Sequence, residues 1–196
     1  MGTVVRPAST ESSVGTAGRI DQYGLVAYID GKLGDFLLQL RQEIVPACML
    51  RSHVSILPPR PLAGTEAEAI TFIQASGRHH AAFEVSLGAV EVFAVTSVIY
   101  IAISSGLIEL HTMHRDLNAK ALRYVEPYSY HPHITLAQEL SAAAYADALQ
   151  LCQARWKEYA GPRQFPVETL TFVQNTTTCG WQDLAEARLE MAGSCF

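Results

Sequence analysis

The 196-residue chain is short of positive charge. It carries 14 Lys and Arg against 19 Asp and Glu, a net charge of -5, and only 17% charged residues. Surfaces that grip duplex nucleic acid are strongly basic, so duplex DNA is excluded as a general partner. A small nucleotide, or a strand end held in a local basic pocket, is not. Long apolar runs are also missing. The longest, Val98 to Ile103, falls far short of the roughly 18 residues that span a bilayer, and no membrane partner is expected. Cys48, Cys152, Cys179 and Cys195 include no C-x-x-C pair, which argues against a zinc ribbon. Residues 1–18 are small and polar and have no apolar signal core. They read as a disordered leader, so a disulfide framework is not expected and a reducing, cytoplasmic setting is. Asn175-Thr176-Thr177 is then a glycosylation sequon by spelling only. Glycine-rich phosphate loops and paired-carboxylate motifs are absent as well.

Against these absences stands a 49% apolar composition in a chain long enough to bury a core without staples. Strand and helix signals alternate from Tyr23 onward. Strands are expected over 24–30, 52–57, 83–87, 90–92, 98–103, 132–138, 167–173 and 184–189, from period-two patterning and β-branched content. Helices are expected from Leu33 to Ile44, from Thr65 to about Ser76, over 107–123, and from a Ser141 cap through the stripe Tyr145, Leu149, Cys152, Trp156 and Tyr159. Thr65 and Glu68 have capping-box spacing. The order mixes helices and strands without strict alternation, which favours an α+β fold with largely antiparallel sheets. With no linker after residue 20, residues 19–196 form a single expected domain, and a monomer.

Two short segments share one design. His53-Val54-Ser55-Ile56-Leu57 and His133-Ile134-Thr135-Leu136-Ala137 both read His, apolar, hydroxyl, apolar, and both histidines and hydroxyls are offset by 80 positions. Side chains alternate across a strand, so each histidine shares a face with its hydroxyl while the apolar residues anchor the other face. An isolated His-x-Ser or His-x-Thr arises often by chance; two copies in matching apolar phase do not. If the halves are structural repeats, the polar pairs face each other across a groove. Imidazole titrates near pH 6.5, which lets one ring act as base while the other, protonated, acts as acid. Two hydroxyls beside them are suited to phosphoryl oxygens. The substrate this layout fits is a phosphodiester, most economically a cyclic one, with no metal and no cofactor required.

The segments "HVSILPPRPL" and "YHPHITLAQ" resemble the two signatures of the two-histidine (2H) phosphoesterase superfamily, which includes RNA 2′,3′-cyclic phosphodiesterases and 2′-5′ RNA ligases. The first carries Ser55 where Thr is commoner, which keeps the hydroxyl. The resemblance implies a bilobal, duplicated fold of two pseudo-symmetric lobes, with two antiparallel sheets flanking a central groove and helices outside. It implies metal-independent hydrolysis of a 2′,3′-cyclic phosphate, on an RNA end or a small nucleotide, to a 2′-phosphate. His53 would be the general acid and His133 the general base, with Ser55 and Thr135 holding the phosphate. Alternatives are 2′-5′ RNA ligation or 2′-5′ phosphodiester cleavage at the same groove, and a non-catalytic RNA- or nucleotide-binding module.

Other residues carry weaker signals. Arg60, after Pro58-Pro59, is placed to reach a substrate phosphate, a solvated loop arginine being the alternative. Tyr128, Tyr130 and Trp181 are candidates to stack on a base or line the groove. His131 shares the parity of His133 and reads as a rim or supporting residue. His111 and His114 have a metal-ligand spacing on their helix, but the apolar stripe around His114 favours a packed histidine. His79 and His80 are expected to face water.

Overall fold

The computed structural model describes residues 18–177 and 180–191. The leader expected over residues 1–18 lies outside the described residues but for Gly18, as do Cys179 and Cys195. Alternating apolar side chains build two sheets. The first contains β1 (Arg19–Tyr28), β2 (His53–Arg60), β7 (Thr169–Thr176) and β8 (Trp181–Arg188), in the order β2-β1-β7-β8. The second contains β3 (Phe83–Phe93), β4 (Val98–Ser105), β5 (His133–Ala137) and β6 (Gln164–Val167), in the order β5-β4-β3-β6. All the pairings within these sheets are antiparallel. Four α-helices complete the described residues: α1 (Gly31–Ile44), α2 (Glu66–Gly77), α3 (Leu107–Leu117) and α4 (Ala142–Glu158). The fold is α+β.

The two motif strands occupy equivalent places. Each is the outer strand of its sheet, paired on one side only, β2 with β1 and β5 with β4. Each closes a strand-helix-strand unit, β1-α1-β2 in one sheet and β4-α3-β5 in the other. The helices are exchanged: α1 packs against β5, α3 packs against β2, and β2 and β5 pack against each other. Val54 and Ile56 of β2, Ile134 and Leu136 of β5, Leu37 and Leu40 of α1, and Leu110 and Met113 of α3 lie in one buried apolar cluster. This shared core fixes the two motif strands relative to each other.

The element boundaries differ from the sequence expectation where local context overrides pattern. The expected strands 83–87 and 90–92 are one strand, β3, with its register shifted between Leu87 and Val90 around Gly88. Conversely, the expected strand 167–173 is two strands in different sheets, β6 and β7, and the chain changes sheet at Glu168. β2 runs on through Pro58 and Pro59 because an outer strand tolerates a missing N–H, and its pairing with β1 shifts register there. The helix expected to reach residue 123 ends at Leu117, where the Asn118 side chain takes over. Its amide donates to the Tyr124 carbonyl (3.0 Å) and its Oδ1 accepts from the Tyr124 N–H (2.8 Å), and a short 3-10 turn, Lys120–Leu122, follows. The capping box of α2 is present in full. Ser141 caps α4 by accepting from the Ala144 N–H at 3.3 Å.

One glycine ties α1 to the residue preceding the first motif. A Cβ on Gly34 would lie 1.8 Å from the Ile29 carbonyl oxygen. The Gly34 carbonyl accepts from the buried Ser52 hydroxyl (3.0 Å), and the Ser52 carbonyl accepts from the Ile29 N–H (2.9 Å). The obstacle to a side chain is backbone, which yields little. Gly34→Ala is expected to lower stability by about 3 kcal/mol, the upper end of overpacking costs, read as a lower urea midpoint at unchanged slope.

Candidate active site

Both motif histidines are held by the same local device. The Nδ1–H of His53 donates to the Arg51 carbonyl, and the Nδ1–H of His133 donates to the His131 carbonyl, each at 2.7 Å and each two residues back along the chain. A carbonyl can only accept, so the proton sits on Nδ1 and each neutral ring keeps a lone pair on Nε2. Neither Nε2 has a hydrogen-bond partner among the described residues. His53 is 9% exposed and packs on Trp181, ring centroids 4.3 Å apart. His133 sits edge-on to Phe93 and Tyr100, at 5.0 and 5.2 Å. Trp181, a groove candidate from sequence, thus stands against the first histidine.

The electrostatics differ from the simple expectation of one neutral and one charged ring. Burial pushes His53 down to about 4; the Arg51 carbonyl opposes this, while the charges of buried Arg41 and of His133 push further down. Burial also lowers His133, against the His131 carbonyl and with the His131 charge. Positive charge on one motif histidine is therefore felt by the other, across the contact between β2 and β5. In the free protein at neutral pH both rings are neutral, and a proton enters the pair only when something anionic stabilises it.

Ser55 and Thr135 fall on the same strand face as their histidines, two residues on, and both are half-buried. Neither hydroxyl makes a hydrogen bond to another described residue. Val54, Ile56, Ile134 and Leu136 fill the core on the opposite faces. The alternation read from sequence is the alternation observed.

The structure gives Arg60 another duty from the one the sequence suggested, and gives Tyr130 a supporting duty besides lining the groove. Arg60 is 2% exposed, and its guanidinium is spent: it donates to the Pro58 carbonyl (2.8 Å), to Asn118 Oδ1 (3.2 Å) and to the Glu126 carboxylate. It is neither solvated nor a free clamp for a phosphate. The Tyr130 hydroxyl donates to the Ser55 carbonyl (2.8 Å), and its ring lies flat on His114, 3.9 Å between centroids at 3°. The Nδ1–H of His114 donates to the Ile56 carbonyl (2.8 Å), and its Nε2 lies 3.4 Å from Glu126. So His114, read as a packed helix histidine, and Tyr130 together hold two successive carbonyls of the first motif strand. No side-chain pattern marks Arg51, whose contribution is a carbonyl. Glu126 is equally silent, because its partner is 66 positions away. Among the described residues no group of three His, Cys, Asp or Glu gathers around His111 and His114.

Beside His133 a cavity of about 580 Å³ opens between the tip joining β3 to β4 and the segment 124–131. Its walls include Phe93, Tyr124, Tyr128, Tyr130 and His131.

Two sheets whose outer strands carry paired His-x-Ser and His-x-Thr faces define a two-histidine phosphoesterase architecture. The family model of the 2′-5′ RNA ligase superfamily matches residues 34–178, and the chain belongs to that superfamily. A Bacillus pumilus protein bearing a phosphoesterase name is 26% identical over 137 residues, covering 68% of this chain and 80% of its own. A crystal structure of a phosphoesterase superposes with a TM-score of 0.61 at 16% identity, over 89% of this chain and 99% of that one. Apo LigT from E. coli superposes with a TM-score of 0.59 at 16% identity, over 87% and 98%.

The depressed His53 fixes the sign of a pH effect on stability. Its folded value lies below the unfolded value near 6.5, so the unfolded chain binds the proton more readily. Stability is full above about pH 6.5, falls as pH drops toward 4, and levels off below. The loss is of the order of 3 kcal/mol. Urea titrations between pH 7 and 4 are expected to show this slope in the wild type and a shallower one in His53→Gln.

Proposed function

We propose that the protein hydrolyses a 2′,3′-cyclic phosphate, on an RNA end or a small nucleotide, to a 2′-phosphate. The observation that carries this reading is the matched pair of motif faces: two back-bonded imidazoles with available Nε2 lone pairs, each beside an unengaged hydroxyl, on strands that pack together. Structures of E. coli LigT with 3′-AMP and with phosphate, similar in fold to this chain, support a nucleotide phosphate as the kind of ligand.

In this mechanism the bound diester anion supplies the charge that the free site lacks and draws one proton onto the pair. His133 takes a proton from water as the water oxygen bonds to phosphorus. The bond from phosphorus to O3′ breaks, and His53 gives its proton to that oxygen. The product carries a 2′-phosphate and a free 3′-hydroxyl, and one water is consumed. A proton on buried His53 is poorly solvated and passes readily to the leaving oxygen. Ser55 and Thr135 donate hydrogen bonds to the non-bridging oxygens, where charge gathers in the transition state. Arg60 and Tyr130 serve as wall and support rather than as phosphate ligands. A reducing cytoplasm suits the unpaired Cys48 and Cys152.

The test is ring opening of a 2′,3′-cyclic nucleotide in EDTA, with a parallel ligation assay on RNA carrying 2′,3′-cyclic-phosphate and 5′-hydroxyl ends. His53→Ala and His133→Ala are each expected to lower kcat/KM by about 10²–10⁴, and Ser55→Ala or Thr135→Val by about 10². Turnover that survives both histidine variants overturns the reading. Turnover needs one proton on the pair, which the free rings take up only below neutrality, so the kcat/KM optimum is expected between about pH 4 and 6.5.

A further inference from the structure

The residue two before each motif histidine lends that ring a carbonyl, and the two such residues are secured differently. His131 is anchored by rings: it packs edge-on against Phe93 and Tyr100, at 5.2 and 5.7 Å. Arg51 lies just outside β2 and takes no part in its pairing with β1. Its side chain does the anchoring. The guanidinium lies over the Tyr28 ring, 3.7 Å from the centroid, and reaches Asp30 at 3.0 Å and Asp183 at 3.6 Å. Asp183 also accepts from the Tyr28 hydroxyl at 2.6 Å, and Tyr28 is the residue of β1 opposite His53. Asp183 comes from far away in the fold. It belongs to β8, the outer strand on the opposite side of the sheet from β2. Trp181 stands two residues before it, so the two share a face. Trp181 packs on the His53 ring, with planes 50° apart. The sheet is thus curled until its two outer strands meet over one face, and they meet at the first histidine.

We propose that Trp181 and Asp183 form a strap that positions His53, Trp181 by covering the ring against water and Asp183 by fixing Arg51, whose carbonyl holds the Nδ1–H. The consequence for turnover rests on the function proposed above, in which both are positioning residues for the general acid. The charges around His53 leave this as the work of β8. Arg41 from α1 and His133 from β5 both oppose a proton on the ring. The carboxylates of Asp30 and Asp183 are turned to Arg51, and Asp183 also to Tyr28, so neither is free to attract one. Burial is the largest influence on the ring, and Trp181 is one wall of it. His133 packs on Phe93 and Tyr100 instead, so the strap acts on one ring of the pair.

The experiment is nuclear magnetic resonance of the imidazole nitrogens in the full chain, which needs no turnover. His53→Gln and His133→Gln assign the two signals. Wild-type His53 is expected as the Nδ1–H tautomer, and Asp183→Ala is expected to give a mixture with the Nε2–H form at His53 alone. Asp183→Asn, which keeps an acceptor for Tyr28, is expected to fall between them. Trp181→Ala is expected to raise the titration midpoint of His53 by about one pH unit, while His133 moves by less than about 0.3. Trp181→Phe keeps a ring over the imidazole and is expected to hold the midpoint within about 0.3 of wild type. Asp183 is half-exposed, so its variants are expected to fold, which circular dichroism checks, and that arm stands even where Trp181→Ala loses stability. With a 2′,3′-cyclic nucleotide, Asp183→Ala is expected to lower kcat about tenfold with KM within about twofold. An unchanged His53 tautomer in Asp183→Ala overturns the inference, as does an unchanged His53 midpoint in Trp181→Ala or a change that falls equally on His133. The two readings fail separately. Changes selective for His53 without ring opening remove the hydrolase alone, whereas ring opening with His53 untouched in both variants removes the strap alone.

Discussion

The hydrogen bond from each motif imidazole to the carbonyl two residues behind it is the constraint on which the site depends. It is short-range, so it forms whenever the strand forms. It fixes the tautomer, which decides that Nε2 has the lone pair. It also resists the fall in basicity that burial imposes, and in both rings burial prevails. The result is a pair of imidazoles that are both neutral in the free protein at neutral pH. In the proposed mechanism acid and base are then distinguished by what binds, and only secondarily by which strand each ring belongs to.

A local bond of this kind orients a ring but does not bring two rings together. That task falls to the exchanged helices. α1 leaves the first sheet and packs on β5, while α3 leaves the second and packs on β2. Each motif strand is thus gripped on its apolar face by the helix of the other half. The polar network of Tyr130, His114, Glu126 and Arg60 adds a second grip on β2, and its members come from three different stretches of chain. Burying Arg60 is tolerable because Glu126 and two further acceptors meet its fork, as a buried ion requires.

What was legible in the sequence was what is short in range. The His-x-Ser and His-x-Thr faces follow from strand parity, and the caps at Thr65 and Ser141 follow from spacing three residues long. The α+β class followed from the order of elements. Long-range partners were not legible. Arg60 looked like a free cation because nothing near it in sequence is acidic, and its carboxylate lies 66 residues on. The supporting role of Tyr130 was hidden because its hydroxyl's partner, the Ser55 carbonyl, is 75 residues back. The division of 164–176 between two sheets was hidden for a related reason. β6 and β7 are both apolar enough to read as one run, and only the pairing of Phe165 with Val85 and of Phe172 with Leu25 separates them.

The placement of the motifs on outer strands has a consequence for how the molecule behaves among its own copies. A strand paired on one side is a template for unwanted association, through whatever N–H and C=O groups remain free. In β2 that hazard is blunted from within. Two of its carbonyls are occupied by Tyr130 and His114, and two of its positions, Pro58 and Pro59, have no N–H to offer. The side chains that keep the first histidine's strand in place also make it a poor nucleus for intermolecular sheet growth, so resistance to association and the geometry of the candidate site are guarded by the same few residues.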